Sequence, residues 1–326
     1  MPWIYTLCIR GLQNGKKVEK NIINASISRV LSADKEWEQI LECAHNQNMQ
    51  IIISNTTEVG IQLIHDDIRR HPPLSFPGKL LAFLLERYHA FNGSAQSGMV
   101  IIPTELIPDN GKTLEAIVLE LAHLNGLEES FIEWLECCNH FCNSLVDRIV
   151  TGKPDEEVHN VLQNELDYKD ELLIMAEAYR LWAIEGDEKI KNILSFAQAD
   201  EGLVIADDIE IYRELKLRLL NATHTLSSPL AFLSGCDTVK QAMDDDTISL
   251  YIADVMHNEI AEAIPIQIGA GIIKDFGNKV LDRFKNPHIN HHWINITVQI
   301  SSKMKMRCIP LLVKHYTTNS NPPELI

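Results

Sequence analysis

No stretch of this sequence makes a glycine-rich phosphate loop. The nearest string, Gly269-Ala270-Gly271, lacks the third glycine of the dinucleotide fingerprint and lies far from any strand-helix-strand pattern, so it reads as a turn leading into a helix. Long apolar runs are missing too, since none approaches the roughly 18 consecutive residues of a membrane span. The opening residues, MPWIYTLCIRG, lack the charged and apolar regions of a signal peptide. Basic residues are outnumbered, 29 Lys and Arg against 45 Asp and Glu, and the formal charge of −16 argues against a nucleic-acid partner, which needs clustered cations. The seven cysteines are odd in number and scattered, which fits free thiols in a reducing cytoplasm better than a disulfide framework. Cys137, Cys138 and Cys142 surround His140, but no second ligand pair stands at finger-like spacing. His288, His291 and His292 have no carboxylate or cysteine to complete a set, so no metal site is expected.

What the chain does contain is enough apolar residues, 45% of 326, for a sizeable core and two domains. Residues 3–31 read as strands joined by a turn at Asn14-Gly15. A helix capped by Asp34 is expected through Cys43, because Trp37, Ile40 and Leu41 recur at helical spacing. Met49 to Ser54 is an almost uninterrupted apolar run, expected as a strand buried on both faces of a parallel sheet. A helix at Pro77 to Phe91 and a strand at Gly98 to Leu106 complete a βαβ unit, and Thr113 to Ala122 is a further helix. The expected class is α/β followed by all-α, beginning with a partial Rossmann-like doubly wound sheet over residues 1–152. Ligands of such sheets sit beyond the carboxyl ends of the strands. At those ends stand Ser54, Asn55, Thr56, Thr57 and Glu58, then Thr104 and Glu105, with Asn110-Gly111 close behind. These side chains could line a cofactor crevice, and could equally be helix caps and turns.

Phe141 to Gly152 closes this half, and Lys153-Pro154-Asp155 reads as a linker into a mainly helical domain over residues 153–326. Helices are expected at Pro154 to Leu166, Asp170 to Glu177, Ile211 to Ser227, Asp237 to Ala263, Ile273 to Phe284 and His291 to Tyr316, the last broken near Pro310. The stretch Ile211 to Ser227, IYRELKLRLLNATHTLS, carries the chemistry. It holds Lys216, Asn221 and His224 as K-x4-N-x2-H. At about 100° per residue the three share one side of an α-helix, with Leu217 and Leu220 in or near the same arc. A lysine among leucines loses hydration of its charged form, which makes neutral amine available as a general base. An amide and an imidazole beside it could hold an alcohol or carbonyl oxygen while charge develops there. The same pattern also suits a lysine reaching for solvent, a capping asparagine and a core histidine.

The order of the strings is more specific than any one of them. NTTE after a strand, FPGKLLAFLLERYHAF, IIPTELIPDNG, FCNSLVDRIVTG, WAIEG, and K-x4-N-x2-H followed by RFKNP resemble the long-chain mannitol dehydrogenase family from about Tyr5 to about Leu312. SNTTE, LVDRIVTG and WAI-x-G favour a sugar-acid branch over the mannitol enzymes. The resemblance implies an NAD-dependent enzyme interconverting D-altronate and D-tagaturonate in hexuronate breakdown, without a catalytic metal. It implies Lys216 as general acid/base, Asn221 and His224 as the residues that orient and polarise the reacting oxygen, and Asn143 as a second asparagine on that oxygen. It further implies Asn55, Thr56, Thr57 and Glu58 as cofactor contacts, Asn110 near the nicotinamide, and Arg283, Lys303 and Arg307 as partners of a substrate carboxylate. Fructuronate reduction, mannitol oxidation, or a non-catalytic member that binds a sugar acid without turnover are the alternatives. Family members begin with a strand and glycine-rich loop and end in further helices, so the resemblance also implies a chain cut short at both ends.

Overall fold

The fold is described, from a computed structural model, for residues 3–57 and 59–325. Strands β1 (Trp3–Gln13) and β2 (Lys16–Ile27) precede α1 (Ala33–Cys43), β3 (Ile51–Ser54), α2 (Phe76–Ala90), β4 (Val100–Pro103), α3 (Asn110–Leu124) and α4 (Glu129–Cys138). Short strands β5 (His140–Phe141), β6 (Ser144–Asp147) and β7 (Val150–Gly152) lead to α5 (Glu156–Leu166), β8 (Ile174–Ala176), β9 (Leu181–Glu185), α6 (Glu188–Ile193) and β10 (Leu203–Ala206). The rest is helical. Helix α7 (Glu210–Leu215) runs through a π-helical turn (Lys216–Ala222) into α8 (Thr223–Leu233). Then come α9 (Val239–Asp244), α10 (Asp246–Asp254), a second π-helical turn (Val255–Ile260), α11 (Ala270–Phe284), α12 (Trp293–Ile296), α13 (Ile300–Arg307) and α14 (Ile309–Thr318). No helix among the described residues is long and apolar enough to cross a membrane.

These elements form two compact units that interleave along the chain. An α/β unit takes residues 28–146 and 181–209; a mainly helical unit takes the segments up to 27, 147–180 and from 210 onward. A single cut near residue 152 therefore does not separate them, because the chain leaves the α/β unit at Asp147, re-enters it at Leu181 and leaves again at Glu210.

In the α/β unit, β3, β4 and β5 are parallel neighbours in that order, with Ile51 opposite Val100 and Val100 opposite His140. Ser75 starts α2: its hydroxyl accepts from the Gly78 amide, and Pro77 fills a first-turn position that needs no donor. Leu81 and Leu84 of α2 then meet Leu114, Val118 and Leu121 of α3 and Phe131, Trp134 and Leu135 of α4 in one core. The expected burial of Met49 to Ser54 on both faces is not found. Strand β3 is an edge among the described residues, and Ile53 is 51% exposed. An apolar run shows strand preference, whereas burial depends on having neighbours on both sides. The cap of α1 also moves: Ser32 is the N-cap in place of Asp34, and the Glu36 carboxylate accepts from the Ser32 amide at 2.8 Å.

In the helical unit, Asn14 and Gly15 turn the β1–β2 hairpin with φ of 53° and 71°, the left-handed pair that a two-residue hairpin turn requires. Strand β1 pairs on its other side with β8, in parallel, and β8 pairs with β7. Asp170 to Glu177 is thus not the expected helix. The Asp170 carboxylate accepts from the Thr6 amide at 2.6 Å and the Leu172 amide at 2.9 Å, holding the chain extended beside β1, where Leu173 packs on Cys8. Tertiary pairing overrides local helix preference here. The C-terminal helices enclose a core of Leu215, Leu219, Ile252, Val255, Met256 and Trp293. The break near Pro310 is present at Cys308, and a second falls before α13, where Gln299 has φ of 57°.

Candidate active site

The K-x4-N-x2-H stretch is helical, but Lys216 to Ala222 is wound as a π turn. A π turn bonds residue i to i+5, so Asn221 stands one turn from Lys216. Uniform α spacing would leave the two about 140° apart. His224 follows in the first turn of α8. The Lys216 side chain is only 16% exposed, and its Nζ lies 4.0 Å from Asp147 Oδ1. Burial strips water from the ammonium and lowers its pKa; the Asp147 charge opposes that shift, while Arg283 and Arg307 add to it.

Asp147 is itself gripped. Arg283 on α11 donates from Nη1 to Asp147 Oδ2 at 2.8 Å and from Nη2 to Oδ1 at 3.0 Å. The same guanidinium donates to Glu177 from Nε at 3.0 Å and from Nη2 at 2.9 Å, and lies over the Tyr179 ring, 4.3 Å from its centroid. Burial works against the charge on Arg283, yet the hydrogen bonds and charges of Asp147 and Glu177 more than offset it, so its pKa is raised. The Arg283 fork, expected on a substrate carboxylate, is bonded here to two carboxylates of its own chain.

His224 is buried, its ring stacked on Phe284 at 4.2 Å and edge-on to His291 at 5.0 Å. Burial first, then the nearby positive charges, push its pKa well below 6.5, so the ring is neutral. Its Nε2 has no hydrogen-bond partner among the described residues. A small cavity bounded by Leu220, His224, Arg283, Phe284 and His291 adjoins it. Arg307 donates to Thr225 Oγ1 at 3.1 Å and to the Asn221 carbonyl at 3.4 Å, which places it beside the π turn. Lys303, one turn earlier on α13, donates to the Ile296 carbonyl at 2.8 Å.

In the α/β unit, Glu105 organises the strand ends. Its buried carboxylate accepts from Ser54 Oγ at 3.0 Å, the Thr56 amide at 2.8 Å and Thr56 Oγ1 at 2.7 Å. Asn55, Thr56 and Thr57 are exposed beyond β3; Glu58 lies outside the described residues. Asn110 is a different matter. Its Nδ2 donates to the carbonyls of Pro103, Glu105 and Ser144, each at 3.0 Å, and its Oδ1 accepts from the Gly111 and Ser144 amides at 2.9 Å. Asn143 Oδ1 accepts from the Gly111 and Lys112 amides at 3.0 and 3.2 Å, satisfying donors at the start of α3, and its Nδ2 donates to Glu185 at 3.1 Å. Both asparagines are engaged in tying the β4–α3 and β5–β6 loops together.

The sequence profile of the mannitol dehydrogenase Rossmann domain matches residues 7–195, and that of the mannitol dehydrogenase C-terminal domain matches residues 208–326. The chain belongs to the mannitol dehydrogenase family. Among curated members of this family, altronate oxidoreductase of Bacillus subtilis strain 168 is 39% identical over 322 residues, 98% of this chain and 66% of the relative. That of Klebsiella pneumoniae strain 342 is 39% identical over 326 residues, 99% of this chain and 67% of the relative. The chain thus spans about two thirds of the length of these relatives. A D-sorbitol dehydrogenase structure in substrate-free form superposes with a TM-score of 0.80 at 18% identity, over 96% of this chain and 65% of that one. Pseudomonas fluorescens mannitol 2-dehydrogenase, in a ternary complex with NAD and D-mannitol, gives 0.68 at 20% identity, over 96% and 64%. At such identities the solved structures establish the mannitol dehydrogenase fold.

Reading this family member from its sequence leaves Asp147 and Glu177 without roles. Each is a lone carboxylate next to apolar residues, in LVD and MAEA. A charge placed where burial is expected is the signal that points to a buried partner.

Proposed function

We propose that this chain carries the working parts of an NAD-dependent sugar-acid dehydrogenase that interconverts D-altronate and D-tagaturonate in the cytoplasm. The observation that carries the reading is a buried lysine one π turn from an asparagine, on a helix that also bears an unpartnered buried imidazole nitrogen. The identity to altronate oxidoreductases over nearly the whole chain supports the substrate.

In this reading the α/β unit holds the dinucleotide and the helical unit holds the sugar acid. Exposed Asn55, Thr56 and Thr57, beyond the carboxyl end of β3 and anchored by Glu105, offer amide and hydroxyl groups suited to a dinucleotide's oxygens. When bound, NAD supplies hydride acceptance and donation. Lys216 as neutral amine takes the proton from the altronate hydroxyl, and as ammonium returns it to the oxygen formed when tagaturonate is reduced. The Asn221 amide and the neutral His224 Nε2 hold that oxygen as its charge changes. Arg307 and Lys303, one turn apart on α13, present two cations for the substrate carboxylate. Asn110, Asn143 and Arg283 take supporting roles in place of direct contacts.

Comparing kcat/KM for D-tagaturonate, D-fructuronate and D-fructose with NADH tests this. D-tagaturonate should lead, and D-fructose, which lacks the carboxylate, should trail it by at least about 100-fold. Faster reduction of D-fructuronate or D-fructose would overturn the substrate assignment.

A further inference from the structure

The string Val146-Asp147-Arg148-Ile149 folds into a device that the acid/base reading of Lys216 leaves unexplained. Asp147 faces the Lys216 ammonium; Arg148 donates through Nη2 to the Glu177 carbonyl at 3.1 Å; the Ile149 amide donates to Glu177 Oε1 at 2.7 Å. Arg283 then closes the set by bridging both carboxylates. Four alternating charges, Lys216, Asp147, Arg283 and Glu177, stand in a buried row.

We propose that Asp147, clamped by Arg283, is a positioning residue that fixes the Lys216 ammonium for proton transfer. This rests on Lys216 being the acid/base. A lysine head on a four-carbon stem wanders among rotamers unless something holds it. Asp147 suits that task because the Arg283 fork bonds both of its oxygens and so sets the plane of the carboxylate. At 4.0 Å the carboxylate is beyond hydrogen-bond reach of Nζ. It therefore attracts and orients the ammonium without capturing the proton that substrate oxygen must receive. Asp147 does not relay the proton itself, since both of its oxygens are engaged by the Arg283 fork. Among the described residues, Asp147 from β6 favours the Lys216 ammonium while Arg283 from α11 and Arg307 from α13 oppose it; Glu177 is bonded to Arg283, one step further along the row.

That last distinction separates a positioning role from a purely structural one. The test is competitive labelling of Lys216 with acetic anhydride across pH in the full chain, read by mass spectrometry, for wild type, Asp147→Asn and Glu177→Gln. Both variants should unfold at lower temperature, because each breaks the buried clamp. Asp147→Asn should move the labelling midpoint downward by about one pH unit, and further than Glu177→Gln does, because a charge facing the ammonium is gone. The acid limb of altronate oxidation should move the same way. Asp147→Ser, which leaves room for water beside Arg283, replaces the asparagine variant if that one does not fold. Equal shifts in both variants, or no shift in either, would reduce the clamp to a structural element and overturn the proposal. Labelling needs no turnover, so a wild type without dehydrogenase activity would refute the acid/base reading through a separate result.

Discussion

A lysine that serves as acid in one direction and base in the other works best with a pKa nearer neutrality than the ordinary 10.5, and burial moves Lys216 that way. On the proposed function, oxidation of altronate needs the neutral amine, so its rate should rise with pH through the lowered Lys216 pKa, while reduction of tagaturonate should fall over the same window. Rate–pH profiles in both directions check this, and parallel profiles would contradict it. Thiol chemistry gives a second residue-level outcome. Burial pushes Cys142 up to about 12 and Cys308 up to about 11, whereas Cys137 is exposed. Iodoacetamide at neutral pH should label Cys137 and leave Cys142 and Cys308 intact until the chain unfolds; peptide mapping reads the order. That Lys216, Asn221 and His224 share one helical stretch was legible from spacing. The bonds that Asn110, Asn143 and Arg283 make within the chain were not legible from spacing. A side chain that binds a ligand and one that ties two loops have the same chemistry, and only the partners in the fold tell them apart.

In the α/β unit, the start of α3 packs tightly against a neighbouring loop. Gly111 lets this helix approach the neighbouring loop so closely that a Cβ there would meet the Cys142 carbonyl carbon at 2.5 Å and the Asn143 amide nitrogen at 2.6 Å. Backbone cannot yield as a flexible side chain can, so Gly111→Ala should destabilise the fold by about 2 kcal/mol or more, measured by urea unfolding. A neutral result would mean that α3 is free to shift. The Asn-Gly pair was visible in the sequence, as was α2 with its first-turn proline and helical period; its Ser75 cap was not. Strand β8 was not. It is three residues long and owes its form to β1, with Leu7 opposite Ile174, a pairing that no local pattern announces. The π turn was likewise hidden, since residues 216–222 read as ordinary helix; its effect is to bring Asn221 round toward Lys216.

At the scale of the molecule, chain order and spatial grouping part company. The hairpin at the start belongs with helices near the end: Gly15 donates its amide to the Asp282 carboxylate, and Asn286 donates to the Arg10 carbonyl. Composition and periodicity could reveal a two-part chain, but not that its parts interleave. The helical unit also gathers histidines, His224, His257, His288 and His291, whose pKa values are all lowered, chiefly by burial. An unfolded chain binds protons at these rings near 6.5 while the folded one resists them. Stability should therefore be full above that pH and decline as pH falls below it, which thermal unfolding between pH 8 and pH 5 would register. Stability rising on acidification would contradict the burial of these rings. The account as a whole rests on Lys216. The most direct measurement is kcat for D-tagaturonate reduction with NADH by wild type and Lys216→Ala, each confirmed as folded by circular dichroism. A loss of about 100- to 10,000-fold is predicted for the variant; activity within a few-fold of wild type would remove Lys216 from the chemistry.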